Sequence, residues 1–114
     1  MDSSESMVVR GMRSARELAE WVRSRLGDIV LVARVFGSVA RADATEDSDV
    51  DLFLLVSRRL TREEKLEVGG AAFDIDMRNG TWTGWMVETA SRWAMPVVHE
   101  GGVAQAIREE GVPV

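Results

Sequence analysis

Two aspartates separated by one residue, Asp49 and Asp51, stand at the mouth of the apolar run VDLFLLV. Side chains along a strand alternate faces, so these carboxylates share one side and Val50 points to the other. Two anions this close repel, and one pKa rises. A divalent cation removes that penalty. Mg2+ prefers oxygen ligands, typically one or two carboxylates plus substrate phosphates. Read alone, the pair is better described as two solvated acids at a strand end. A second pair, Asp74 and Asp76 in AAFDIDMR, shifts the balance. Read as a strand, residues 71–78 place both of these acids on one face as well. Four carboxylates on two strands of a small sheet suit a site holding two cations, the arrangement used for in-line phosphoryl chemistry.

Gly37-Ser38 adds a second half. It closes the apolar run VLVARVF. Glycine permits a sharp turn and close approach of a ligand. A helical turn after it presents free N–H groups to phosphate oxygens, and the Ser38 hydroxyl offers one more donor. Gly-Ser alone is also an ordinary strand-to-helix turn.

The elements that must position these groups follow from patterning. Ser14 and Glu17 form an S-x-x-E capping pattern, and Ala15, Leu18, Ala19, Val22 and Leu26 recur at helical spacing up to Gly27. This predicts a helix over 15–26, with residues 1–12 as a flexible leader and 13–114 as a single domain. Strands are expected at 29–36 and 49–56, with a helical turn at 38–42 between them. Thr61 and Glu64 cap a short helix that stops at Gly69-Gly70. TGWMVETASRWAM reads as a helix ended by Pro96, and a last short helix closes at Gly111. The order predicts an α+β fold: a small mixed β-sheet with helices packed mainly on one face.

The chain has 114 residues, 46% of them hydrophobic and 29% charged, which suits one domain with its own core. No apolar stretch approaches the roughly 20 residues that span a bilayer, and the N-terminus lacks the pattern of a signal peptide. Cysteine is absent, which excludes disulfides and thiolate metal sites and fits a cytoplasmic location. A net charge of −5 disfavours direct, non-specific nucleic-acid binding.

Together, Gly37-Ser38-Val39-Ala40-Arg41 and Ser48-Asp49-Val50-Asp51-Leu52 resemble the signature of the DNA polymerase beta-like nucleotidyltransferase superfamily, in particular its minimal nucleotidyltransferases. The signature is G-S-x-A-R-G, a polar loop, then S-D-x-D-L. Ala42 departs from it, standing where the family usually has glycine. The resemblance implies a metal-dependent enzyme that moves a nucleoside monophosphate, AMP from ATP, to an acceptor hydroxyl. It implies Asp49, Asp51 and Asp76 as catalytic and metal-binding acids, with Asp74 as the alternative third acid. Gly37, Ser38 and Arg41 would bind the nucleotide, and two Mg2+ ions are expected with the triphosphate. Arg41 could equally pair with a nearby acid. By analogy with relatives of this size, the partner would be a helical HEPN-like protein, with this chain as the antitoxin. The alternatives are a catalytically inactive nucleotide-binding or docking module, and an antibiotic nucleotidyltransferase. The single histidine, His99, and Trp82, Trp85 and Trp93 are expected to serve packing rather than chemistry.

Overall fold

The computed structural model describes residues 5–114. Helix α1 spans Met7–Leu26, started by the Ser6 side chain accepting from Val9 N. A 3-10 turn, Gly27–Ile29, leads into strand β1, Val30–Phe36. One helical turn, α2, covers Gly37–Ala40, and β2 covers Val50–Val56. Helix α3 runs from Arg62 to Asn79, followed by strand β3, Thr83–Thr89. Short helices α4 (Ala90–Trp93) and α5 (Pro96–His99) precede α6 (Gly102–Glu110) and the two-residue strand β4, Val112–Pro113.

The sheet order is β3-β2-β1-β4. β1 is antiparallel to both β2 and β4, and β2 is parallel to β3. The parallel pair requires a crossover, which α3 supplies. The expected mixed sheet in an α+β fold is therefore present. Val50, Leu52 and Leu54 of β2 point to one face and are buried with Leu18 and Val22 of α1 and Val68, Ala72 and Ile75 of α3. The other face takes Asp51, Phe53 and Leu55. There Phe53 packs on Trp93, with ring centroids 4.8 Å apart, and Trp93 in turn meets His99 edge-on at 5.5 Å. Asp51 lies on this second face, at its N-terminal end. No helix among the described residues is long and apolar enough to cross a membrane.

Four sequence expectations are overturned here. Residues 7–12 are no leader but the first turns of α1, with Met7, Arg10 and Gly11 buried; residues 1–4 lie outside the described residues. Ser14 is not a cap. It is fully buried in mid-helix, where its hydroxyl meets Thr81 Oγ1 at 2.7 Å and accepts from Asn79 Nδ2 at 3.0 Å. The most consequential change concerns residues 71–78, which are helix rather than strand. The Thr61–Glu64 capping box starts α3 as expected, but the helix passes through Gly69-Gly70 and ends only at Gly80, whose φ is +65°. Its buried positions, Glu64, Val68, Ala72, Ile75 and Asn79, recur every three or four residues, and this stripe against α1 and the sheet outweighs two poor helix formers. Residues 83–89, expected as helix, instead pair with β2 along its whole length.

Candidate functional site

β1 delivers the chain to Gly37, whose φ of +75° turns it into α2. In the sheet, Phe36 pairs with Asp51, so the Gly37 turn lies directly beside the Asp51 carboxylate. A Cβ on Gly37 would fall 2.3 Å from Asp51 Oδ2. This position therefore needs glycine twice, for its backbone and for the approach. On the other flank Asp51 pairs with Gly84 of β3. The carboxylate thus sits between two glycines at the mouth of the sheet.

Asp49 precedes β2 and is exposed, while Asp51 is half-buried. Burial raises the Asp51 pKa above its ordinary value, Asp49 raises it further, and the Arg41 guanidinium draws it back. This is the electrostatic signature expected of the pair. Arg41 itself is engaged by Asp43 at 3.3 Å and Glu110 at 3.1 Å, so in this structure it pairs with acids while acting on Asp51 through space. The loop before Asp49 is closed by Ser48, whose hydroxyl accepts from Thr45 N and whose own N donates to Thr45 O, both at 2.9 Å. Ala42 has a φ of +63°, the left-handed region that glycine adopts without strain.

Arg10 is a positioning residue that patterning missed, because it falls in the stretch read as leader. It is buried on α1. Its Nη2 donates to both carboxylate oxygens of Glu46, at 2.6 and 2.7 Å, and its Nη1 donates to Gly80 O at 3.0 Å. One guanidinium thus ties the loop entering β2 to the turn entering β3. A cation preceding a helical apolar stripe was the only signal available in the sequence.

The second acidic pair is not part of this site. Asp74 is exposed on α3 and opens onto a cleft against α1 that includes Glu17, Glu20 and Arg78. Asp76 lies near the end of α3, where its Oδ1 accepts from the hydroxyls of Thr81 (2.6 Å) and Thr83 (2.7 Å) and its Oδ2 from Thr83 N (2.8 Å). It anchors the start of β3. Among the described residues no three Asp, Glu or His side chains come together as a metal-holding set. The expected trio of Asp49, Asp51 and Asp76 (or Asp74) is therefore not assembled, since a helix separates consecutive alternate residues by about 200° and sends them to different neighbours. The residues present fit one divalent cation, with Asp49 and Asp51 as protein ligands and phosphate oxygens completing the shell. They do not fit two.

The family described as polymerase beta, nucleotidyltransferase, matches residues 22–79, half of the chain. Among solved structures, the chain is similar to one assigned as a minimal nucleotidyltransferase, at 27% identity and a TM-score of 0.61 over 98% of this chain and 99% of that one. It is similar in fold to a nucleotidyltransferase assigned in Sulfolobus solfataricus, at 17% identity and a TM-score of 0.55 over 99% and 89%. It also matches a variant of the toxin–antitoxin complex MntA–HpeT, at 13% identity and a TM-score of 0.58 over 87% and 70%. No curated protein matches the chain significantly.

Proposed function

Since the chain belongs to the polymerase beta nucleotidyltransferase family, we propose that it binds a nucleoside triphosphate, ATP in the first instance, through one divalent cation on Asp49 and Asp51. The β- and γ-phosphates rest on the Gly37-Ser38 turn. The observation that carries this reading is the seat of the Asp51 carboxylate against Gly37, where any side chain would collide with it. Such a seat has the acid and the phosphate-binding backbone meet at one point. A Mg2+ ion there would neutralise the carboxylate pair and the triphosphate together.

The reaction is transfer of the nucleoside monophosphate to an acceptor hydroxyl. The acceptor oxygen bonds to the α-phosphorus, the bond from that phosphorus to the bridging oxygen breaks, and pyrophosphate leaves with the electron pair. The acceptor proton passes to water. The turn and the acids position the triphosphate, and positioning supplies much of the rate in such chemistry. The fold similarity to the toxin–antitoxin complex MntA–HpeT supports an acceptor on a partner protein; as the sequence resemblance implies, we infer that this partner is helical and HEPN-like and that this chain takes the antitoxin part. Phe73, Met77 and Trp82, between 61% and 74% exposed beside the pocket that Asp76 lines, support a protein partner. A second reading, a nucleotide-binding module without transfer chemistry, is favoured by the absence of a third acid from the site among the described residues.

Thermal unfolding with Mg2+, ATP, both and neither tests the binding step. Mg2+ and ATP together should stabilise the protein by about 2.7 kcal/mol at a hundredfold excess over Kd, and either alone by far less. No added stability with both present contradicts the reading.

A further inference from the structure

The strand beside the acids carries an unused position. β3 runs parallel to β2 in register, so residues paired across the two strands share a face. Gly84 pairs with Asp51, and a Cβ on Gly84 would lie 4.0 Å from Asp51 Oδ1, meeting nothing closer. Unlike Gly37, Gly84 has no positive φ. Neither backbone conformation nor crowding requires glycine there. The other residues of β3 on this face are Met86 and Glu88. Glu88, the strand's only acid, lies four residues on, about 13 Å away, where it pairs with Arg92 at 3.2 Å.

We propose that Gly84 marks the place of an absent carboxylate, so that this chain holds a single divalent cation with its nucleotide, and that an acid at position 84 would create the seat for a second. The inference rests on the metal–triphosphate reading given above and sharpens it. One ion shared by Asp49, Asp51 and the phosphates leaves the acceptor hydroxyl without a metal on this chain to lower its pKa. The isolated chain then binds nucleotide and transfers it poorly. Any further ligand must come with the acceptor. Geometry favours position 84 over the other candidates. Asp76 has both oxygens committed to Thr81 and Thr83, and Asp74 faces α1. A carboxylate one bond beyond the Gly84 Cβ would reach an ion that also touches Asp51.

The test counts ions. Mn2+ binding is measured by electron paramagnetic resonance in the presence of a non-hydrolysable ATP analogue, for the wild type, Gly84→Asp and Gly84→Asn. Circular dichroism confirms that each variant is folded. The expected stoichiometry is one ion per chain for the wild type and for Gly84→Asn, and two for Gly84→Asp. Asparagine matches aspartate in size, so a difference between the two variants reports charge rather than packing. Two ions in the wild type overturn the inference and leave the triphosphate reading standing. One ion in Gly84→Asp, with wild-type affinity for that ion, also overturns it. No nucleotide-dependent Mn2+ in the wild type removes both.

Discussion

Asp49 and Asp51 stand at the mouth of a strand, whereas Asp74 and Asp76 lie on the last turns of a helix. Both pairs are written Asp-x-Asp amid apolar residues. In the strand the spacing of two returns a side chain to the same face, and the carboxylates confront one another. In the helix the same spacing sends Asp74 outward beside α1 and Asp76 inward to the hydroxyls of Thr81 and Thr83. The contrast teaches that a motif has chemical meaning only through the period of the element that carries it. The first pair is left electrostatically frustrated, with the Asp51 pKa raised by burial and by its neighbour. In the second, Asp76 is satisfied by hydrogen bonds. Frustration without a partner marks a place for a ligand; satisfaction marks structure.

Substitutions that disturb one pair and not the other sharpen this contrast. Gly37→Val should have the largest effect. The new Cβ meets the Asp51 carboxylate, and valine must adopt a positive φ, at about 1–2 kcal/mol for the backbone and a further ~1–3 for overpacking. Denaturant unfolding should show a loss of several kcal/mol, and titration a loss of nucleotide affinity far beyond that of Ser38→Ala. Asp76→Ala comes next. It strands the hydroxyls and the backbone N–H that enter β3, and should cost about 2–3 kcal/mol, while the folded fraction keeps its affinity for MgATP.

A pH titration of stability probes the frustrated pair alone. The Asp51 pKa is raised above its ordinary value, so between its unfolded and folded values the native state binds more protons. This group therefore favours the native state most at low pH, and that advantage is lost as pH rises through the folded value. Asp51→Asn should abolish this component and leave the protein more stable than the wild type at pH 7; an unchanged pH profile in the variant would break the contrast.

Smaller effects follow. Ala42→Gly relieves a left-handed alanine, offset in part by the entropy of glycine, for a net gain of a few tenths to about 1 kcal/mol in thermal unfolding. Asp74→Asn, at an exposed position, should stay within about 0.5 kcal/mol of wild type.

The half of the fold that builds the acids and the turn was legible in the sequence. Two β-branched runs, a Gly-Ser turn and Asp-x-Asp at a strand mouth are local signals, and the structure places them as neighbours in one sheet. The Thr61–Glu64 capping box and the stop at Gly111 were legible for the same reason. The rest depended on tertiary context. Gly69-Gly70 imitates a helix end, and AAFDIDM imitates strand alternation, yet α3 continues because Val68, Ala72, Ile75 and Asn79 find α1 and the sheet. Ser14–Glu17 imitates a capping box, although Ser14 is buried beside Thr81 and Asn79. The β3 stretch imitates a helix, because its length and its tryptophans carry no clear period. Gly84 is hidden with it, since a position facing Asp51 exists only once the strands are paired.

The central claim is that one acidic pair binds the metal–triphosphate and the other does not. Calorimetric titration of MgATP into two double variants tests it directly. Asp49→Asn with Asp51→Asn should bind MgATP at least a hundredfold more weakly than wild type while remaining folded, whereas Asp74→Asn with Asp76→Asn, once shown to be folded, should bind within a few-fold of wild type. Undiminished binding by the first variant, or loss of binding confined to the second, would contradict the account.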